Sequence, residues 1–149
     1  MFDPDFPING SIGWEAKFSY RLINSMKINS SIKQPIITGL DNIKRGPKEG
    51  LPNVRSDYMY YYRDIGTKPY LANLTIDQYF KPFKTIYSQL NLGYFETMYA
   101  GVRSETVWKD TNKPYGLGLD LAIVKKRNTY GDFSLIDSNY TTIIGSFYY

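Results

Sequence analysis

The chain has 149 residues, 42% hydrophobic and 21% charged, and its 18 basic and 14 acidic side chains leave a net charge of +4. It is too apolar for a disordered chain, and it is long enough for one domain with a real core or for part of something larger. It has no cysteine and no histidine, which excludes disulfides, thiolate chemistry, histidine-based triads and most zinc sites.

No run approaches the ~18 apolar residues of a membrane helix. Any membrane embedding must therefore use closed β-structure, because lipid satisfies no backbone hydrogen bonds. The 15 tyrosines suit strands, and a ring with a polar tip suits the membrane–water interface. The mild positive charge says little about partners.

Residues 11–21 alternate strictly. Ile12, Trp14, Ala16, Phe18 and Tyr20 fall on one face, and Ser11, Gly13, Glu15, Lys17, Ser19 and Arg21 on the other. That is a strand with one apolar and one charged face. Ten residues at ~3.3 Å each, tilted by about 45°, rise roughly 24 Å, close to the apolar band of an outer-membrane barrel. A second strand, residues 26–35, follows a short link and predicts a hairpin. Residues 38–53 are polar, rich in glycine and proline, and carry Lys44, Arg45 and Lys48. They predict an exposed loop.

A third strand is predicted over residues 54–63, although its tyrosines occupy both faces. A fourth over 70–80 sets Ala72, Leu74, Ile76 and Phe80 against Asn73, Thr75, Asp77 and Tyr79. Residues 81–84 form a turn. A fifth strand spans 85–95 and a sixth 100–108, with Arg103 and Glu105 on one face. The turn 110–114 leads to a seventh strand, 115–124, which sets Leu117, Leu119, Leu121 and Ile123 against Gly116, Gly118, Asp120 and Ala122. A charged loop, 125–128, precedes the last strand, 139–149. The prediction is all-β: an antiparallel meander of about eight strands in one strongly curved sheet, with a closed small barrel as the alternative. No linker divides the chain.

Residues 1–11 lack the basic start and apolar core of an export signal. The chain is expected either to be cytosolic or to be a piece whose parent carries its signal elsewhere.

Three motifs carry a resemblance. The first is Pro52-Asn53-Val54-Arg55-Ser56-Asp57. The second is Asn91-Leu92-Gly93-Tyr94-Phe95-Glu96 running into Met98-Tyr99-Ala100-Gly101-Val102. The third is residues 105–108 followed by Tyr115-Gly116-Leu117-Gly118-Leu119-Asp120-Leu121 and Val124-Lys125-Lys126-Arg127. In this order, with Phe2-Asp3-Pro4-Asp5 upstream, they resemble the YjbH family of bacterial outer-membrane proteins, tied to exopolysaccharide and group 4 capsule production. One departure is that Arg103 and Ser104 stand where the family usually has small residues.

The resemblance implies that residues 1–149 are a single internal, C-proximal segment of a larger outer-membrane β-barrel protein. It implies a non-catalytic part in polysaccharide biosynthesis or secretion. The expected partners are a polysaccharide, outer-membrane lipid and other secretion proteins. Neither nucleic acid nor a cofactor is expected. The rival from another class is a soluble β-sandwich or small barrel that binds carbohydrate. The two differ in whether the apolar strand faces meet lipid or a dry core.

Strand parity puts Glu15, Lys17, Asp77, Arg103, Glu105 and Asp120 on the polar side, as candidate lumen-lining residues. The plainer reading is a structural ion-pair ladder, of which exposed pairs contribute only ~0–1 kcal/mol. Arg55 and Asp57 are candidate anchors for the long loop through charge-assisted hydrogen bonds. The run Lys125-Lys126-Arg127 reads as a solvated turn, or as a contact for lipid phosphate or an anionic polymer.

Overall fold

The computed structural model describes residues 10–39, 55 and 57–149. The basic cluster of the long loop and the Phe2-Asp3-Pro4-Asp5 segment lie outside the described residues. Seven strands follow one another as β1 (Ser11–Ile23), β2 (Met26–Thr38), β3 (Tyr70–Phe83), β4 (Ile86–Tyr94), β5 (Tyr99–Lys109), β6 (Gly116–Lys126) and β7 (Tyr140–Tyr148). Each pairs antiparallel with the next, so spatial order is chain order. The predicted meander is present. The sheet is open and uncurled, so the strong curvature expected of it is absent. It does not close on itself either, because β1 and β7 are its two edges.

Among the described residues the count is seven rather than eight, because residues 57–63 of the third predicted strand, 54–63, are not a strand. Helix α1 (Tyr58–Ile65) stands there instead. Tyr58, Tyr61 and Ile65 are three and four residues apart, which puts them on one side of a helix. Tyr61 and Ile65 are buried, and Tyr58 packs against the same cluster. Gly66 ends the helix at φ +55°, its N–H donating to the Tyr62 carbonyl at 2.9 Å. A left-handed residue there costs glycine little.

The cross-strand register fixes two faces. On one, Phe18 meets Ser30 and then Leu74; further along, Leu92 meets Val102 and then Ile123, and Leu121 meets Ile143. This apolar face is bare: Phe18 is 60% exposed, Leu92 52%, Leu119 47% and Ile143 68%. The other face carries the polar partners, such as Asp77 opposite Asn91 opposite Arg103.

The one buried apolar cluster among the described residues joins Tyr61, Ile65, Met98 and Tyr99, with Tyr58, Tyr70, Val124 and Tyr140 against it. Tyr70, Tyr99, Val124 and Tyr140 belong to the polar side by register: Tyr70 opposes Lys33, Tyr99 opposes Lys126, and Val124 opposes Gly101 and Tyr140. So α1 packs on the polar side, and among the described residues the apolar side is covered only at its helix end, where Phe133 packs on Tyr94.

The two ends of the sheet differ. At one end β1–β2 and β3–β4 are joined by two residues each, 24–25 and 84–85, and β5–β6 by a short turn. The other end carries α1, the 95–98 connection and the 127–139 connection.

Candidate functional site: the polar face and its helix

A hydrogen-bonded row crosses the polar face. The Ser19 hydroxyl donates to Asn29 Oδ1 at 2.9 Å. Asn29 Nδ2 donates to Asp77 Oδ2 at 2.5 Å, and Asn91 Nδ2 donates to Asp77 Oδ1 at 2.7 Å. Three strands thus converge on one carboxylate whose charge is met by amides. Asp77 and Asn91 are each 7% exposed, so these are buried polar groups that need partners. Asn91 Oδ1 has none.

Further across, Arg103 Nε donates to both Asp120 oxygens at 2.9 Å, and its Nη2 also reaches Asp120 and lies 3.5 Å from Glu105 Oε2. Glu15 lies 3.3 Å from Lys17 Nζ and 3.8 Å from Lys33 Nζ. All six sequence-derived candidates therefore share this face. Arg103, Glu105 and Asp120 form one cluster, Glu15 and Lys17 a second near the β1 edge, and Asp77 stands apart from both in the amide row.

The candidate anchors are both engaged. Arg55 donates twice to Glu96, at 2.7 and 3.1 Å, and its guanidinium lies 5.6 Å from the Tyr99 ring centroid. Glu96 holds the Arg55 guanidinium above its ordinary pKa. Asp57 starts α1 but makes no side-chain cap. Its Oδ2 instead accepts from Lys126 Nζ at 2.5 Å.

The basic run at the end of β6 is not a solvated turn. The strand continues through Lys126, which is 5% exposed, and Arg127 is 0% exposed. Arg127 Nη1 donates to the Leu71 and Glu96 carbonyls at 2.8 Å each, and Nη2 to Gly131 and Asp132 carbonyls at 3.2 and 3.1 Å. The Tyr94 ring centroid lies 4.9 Å from the guanidinium. Carbonyl dipoles and a ring face replace water around this cation. Burial pushes its pKa down from the ordinary arginine value.

The Arg127 carbonyl accepts from the Tyr61 hydroxyl at 2.7 Å, and Asp64 Oδ2 accepts from the Thr129 hydroxyl at 2.5 Å. Burial, aided by the charge of Asp57, pushes the Tyr61 phenol up to about 12. The helix, β6 and the 127–139 connection are thereby joined into one unit. Nothing in the hydropathy pattern marked Arg127 as a hub. The clue was its place beyond an alternating strand, next to Lys126 on the polar parity.

Over the amide row lies a cleft of about 520 Å³, lined by Asn29, Arg55, Asn73, Thr75, Asp77, Asn91, Phe95, Glu96 and Arg103.

Fold and face together define a class: an antiparallel meander with one uncovered apolar face and one hydrogen-bonded polar face that carries a helix. The whole chain, residues 1–149, matches the family model YjbH, described as exopolysaccharide biosynthesis protein YbjH, and the chain belongs to that family. No curated protein and no solved structure matches it. Membership gives the chain a role in exopolysaccharide biosynthesis.

Proposed function

We propose that this chain is a wall segment of an outer-membrane β-barrel that assists exopolysaccharide or capsule secretion without catalysing chemistry. The apolar face meets lipid and the polar face meets the lumen. The observation that carries this reading is the placement of α1. Among the described residues the chain packs its helix on its polar side and leaves most of the apolar face of the sheet bare, the reverse of what a soluble sandwich does.

A second feature agrees with it. On the apolar face most aromatics sit toward strand ends: Trp14 and Tyr94 toward one, Tyr20, Phe80, Trp108 and Phe147 toward the other, with Phe18 the mid-strand exception. Aliphatic side chains such as Ile76, Leu90 and Leu121 fill the middle. Aromatic girdles flanking an aliphatic band are the pattern of barrels in lipid. In the barrel, further strands pair with the free edges of β1 and β7, since unpaired edges do not persist in hydrocarbon.

The test is fractionation of the full-length protein together with nitroxide labels at Leu119 and Glu105. We expect the protein in the outer membrane, with the Leu119 label relaxed by oxygen and the Glu105 label by a water-soluble paramagnet. Recovery in a soluble fraction, with the Leu119 label shielded from both probes, overturns the barrel reading in favour of a soluble carbohydrate-binding module.

A further inference from the structure

Charge is distributed unevenly along the strands. At the tight-turn end, the turns and the strand termini that enter them carry six cations, Arg21, Lys27, Lys81, Lys84, Lys109 and Lys113, against one carboxylate, Asp110. Among the described residues none of the six is in an ion pair. At the helix end the charges are matched: Arg55 meets Glu96, Arg63 meets Asp64, and Lys126 meets Asp57.

Four of the six cations lie on the polar side. Arg21 shares the parity of Glu15 and Lys17 on β1. Lys27 opposes Asp77 in register, but that carboxylate is taken by the amides of Asn29 and Asn91. Lys109 shares the parity of Arg103 and Glu105 on β5. Lys81 Nζ lies 4.5 Å from the Tyr87 ring centroid and donates to the Tyr87 hydroxyl at 3.0 Å. Tyr87 shares the parity of Gln89, which opposes Glu105. Lys113 differs, since its Nζ lies 5.2 Å from the ring of Trp108 on the apolar side.

This arrangement works against the fold. Arg21 and Lys27 stand directly opposite one another between β1 and β2, and like charges so placed destabilise a sheet. An anion held between them offsets that repulsion. Tyr79, opposite Gln89, and Tyr87 are exposed on the same side. Each offers a sugar ring an apolar face with a hydroxyl at its edge. In the barrel these side chains stand at the lumenal mouth of the tight-turn end, and rings of Arg and Lys are how pores take anions.

We propose that this rim binds an anionic polysaccharide, whose acid groups meet Arg21, Lys27, Lys81 and Lys109 and whose sugar rings lie on Tyr79 and Tyr87. The inference deepens the lumenal reading of the polar face and rests on it. Parity favours a polymer in the lumen over lipid headgroups, because the four cations point away from the apolar side.

The experiment uses the full-length protein in detergent, immobilised polygalacturonate oligosaccharides as the probe, and neutral dextran oligosaccharides of matched length beside them. We expect retention on polygalacturonate that weakens as salt rises, and none on dextran. Arg21→Gln with Lys27→Gln should weaken binding by about tenfold. The same double variant should unfold at a midpoint no lower than that of wild type, because it removes an opposed like-charge pair. Lys81→Gln is the second variant and should also weaken binding. Lys68→Gln with Lys113→Gln removes the same charge away from the polar rim and should bind as wild type does. The proposal is overturned if wild type is not retained on polygalacturonate, if dextran retains it equally, or if the Lys68 and Lys113 double variant loses as much binding as the rim variants. Binding to phosphatidylglycerol micelles in place of polygalacturonate would assign the cations to lipid headgroups and overturn it as well. Mislocalisation of the protein would instead strike the barrel reading, which fractionation reads separately from this binding assay.

Discussion

Asp57 opens α1, yet its carboxylate serves Lys126 on β6 rather than its own helix. The pair spans 69 residues of chain and fastens the N-terminal end of the helix to the sheet. The carboxylate also lies at the helix end where negative charge is favoured.

Removing one partner of a mostly buried pair leaves the other charge uncompensated. Asp57→Asn should therefore destabilise the protein by about 3 kcal/mol. Asp57→Asn combined with Lys126→Met should recover much of that loss. Urea unfolding followed by tyrosine fluorescence reads both. If the double variant is as unstable as the single one, the pair is not the fastening.

Arg127 is expected to be the least replaceable side chain of the described residues. Arg127→Met strands four carbonyls and should cost more than ~3 kcal/mol. Arg127→Lys keeps the charge but loses the planar fork and should recover only part of it. Limited proteolysis within residues 127–139 measures the effect: both variants should be cut faster than wild type, Met faster than Lys.

The Tyr61 phenol has its folded-state pKa raised to about 12 from an ordinary 10.0. A raised acid pKa favours the folded state while the unfolded phenol is still protonated. That contribution is whole below pH 10.0 and is lost as the pH climbs toward about 12. Tyr61→Phe should be somewhat less stable at neutral pH, because it loses the bond to the Arg127 carbonyl, but its stability should fall less steeply across this alkaline window. Unfolding midpoints of the two proteins against pH provide the comparison.

A charge on the apolar face should act through assembly, and a charge reversal on the polar face through transport. Leu119→Arg should lower the amount of assembled protein, at a cost of ~2–4 kcal/mol near the bilayer midplane. Arg103→Glu with Asp120→Arg preserves the pairing, because Asp120 is the main partner of Arg103. It should leave abundance unchanged and alter secreted polymer. Equal abundance for Leu119→Arg and wild type would remove lipid from that face.

Much of the sheet was legible because parity is a local property. Once Leu117, Leu119 and Leu121 share one face, Asp120 must take the other, and cross-strand register carries that assignment through all seven strands. The helix was missed although Tyr58, Tyr61 and Ile65 carry its spacing. Five consecutive residues, four of them tyrosine, satisfy a strand propensity equally well, and tertiary packing decided between them. Arg127 was missed for a different reason. Its four carbonyl partners come from β3, the 95–98 connection and the 127–139 connection, and no local pattern reports where distant backbone oxygens converge. The same holds for Asp77: its parity was visible, but the amides of Asn29 and Asn91 that enclose it come from two other strands.

The placement of α1 also makes the protein thermodynamically lopsided along the strand direction. At the helix end the strands are held by buried rings, ion pairs and the Arg127 hub. At the tight-turn end, beyond the Asp77 and Arg103 rows, the side-chain contacts are between groups none of which is buried, such as Trp108 on Tyr115, Tyr115 on Phe147 and Lys81 on Tyr87, so the strands there lean on their backbone ladder and on whatever medium lies against the sheet. Amide hydrogens near residues 24–25 and 84–85 should therefore exchange at rates set by detergent or lipid, whereas those around Met98 and Arg127 should exchange at a rate the chain sets for itself.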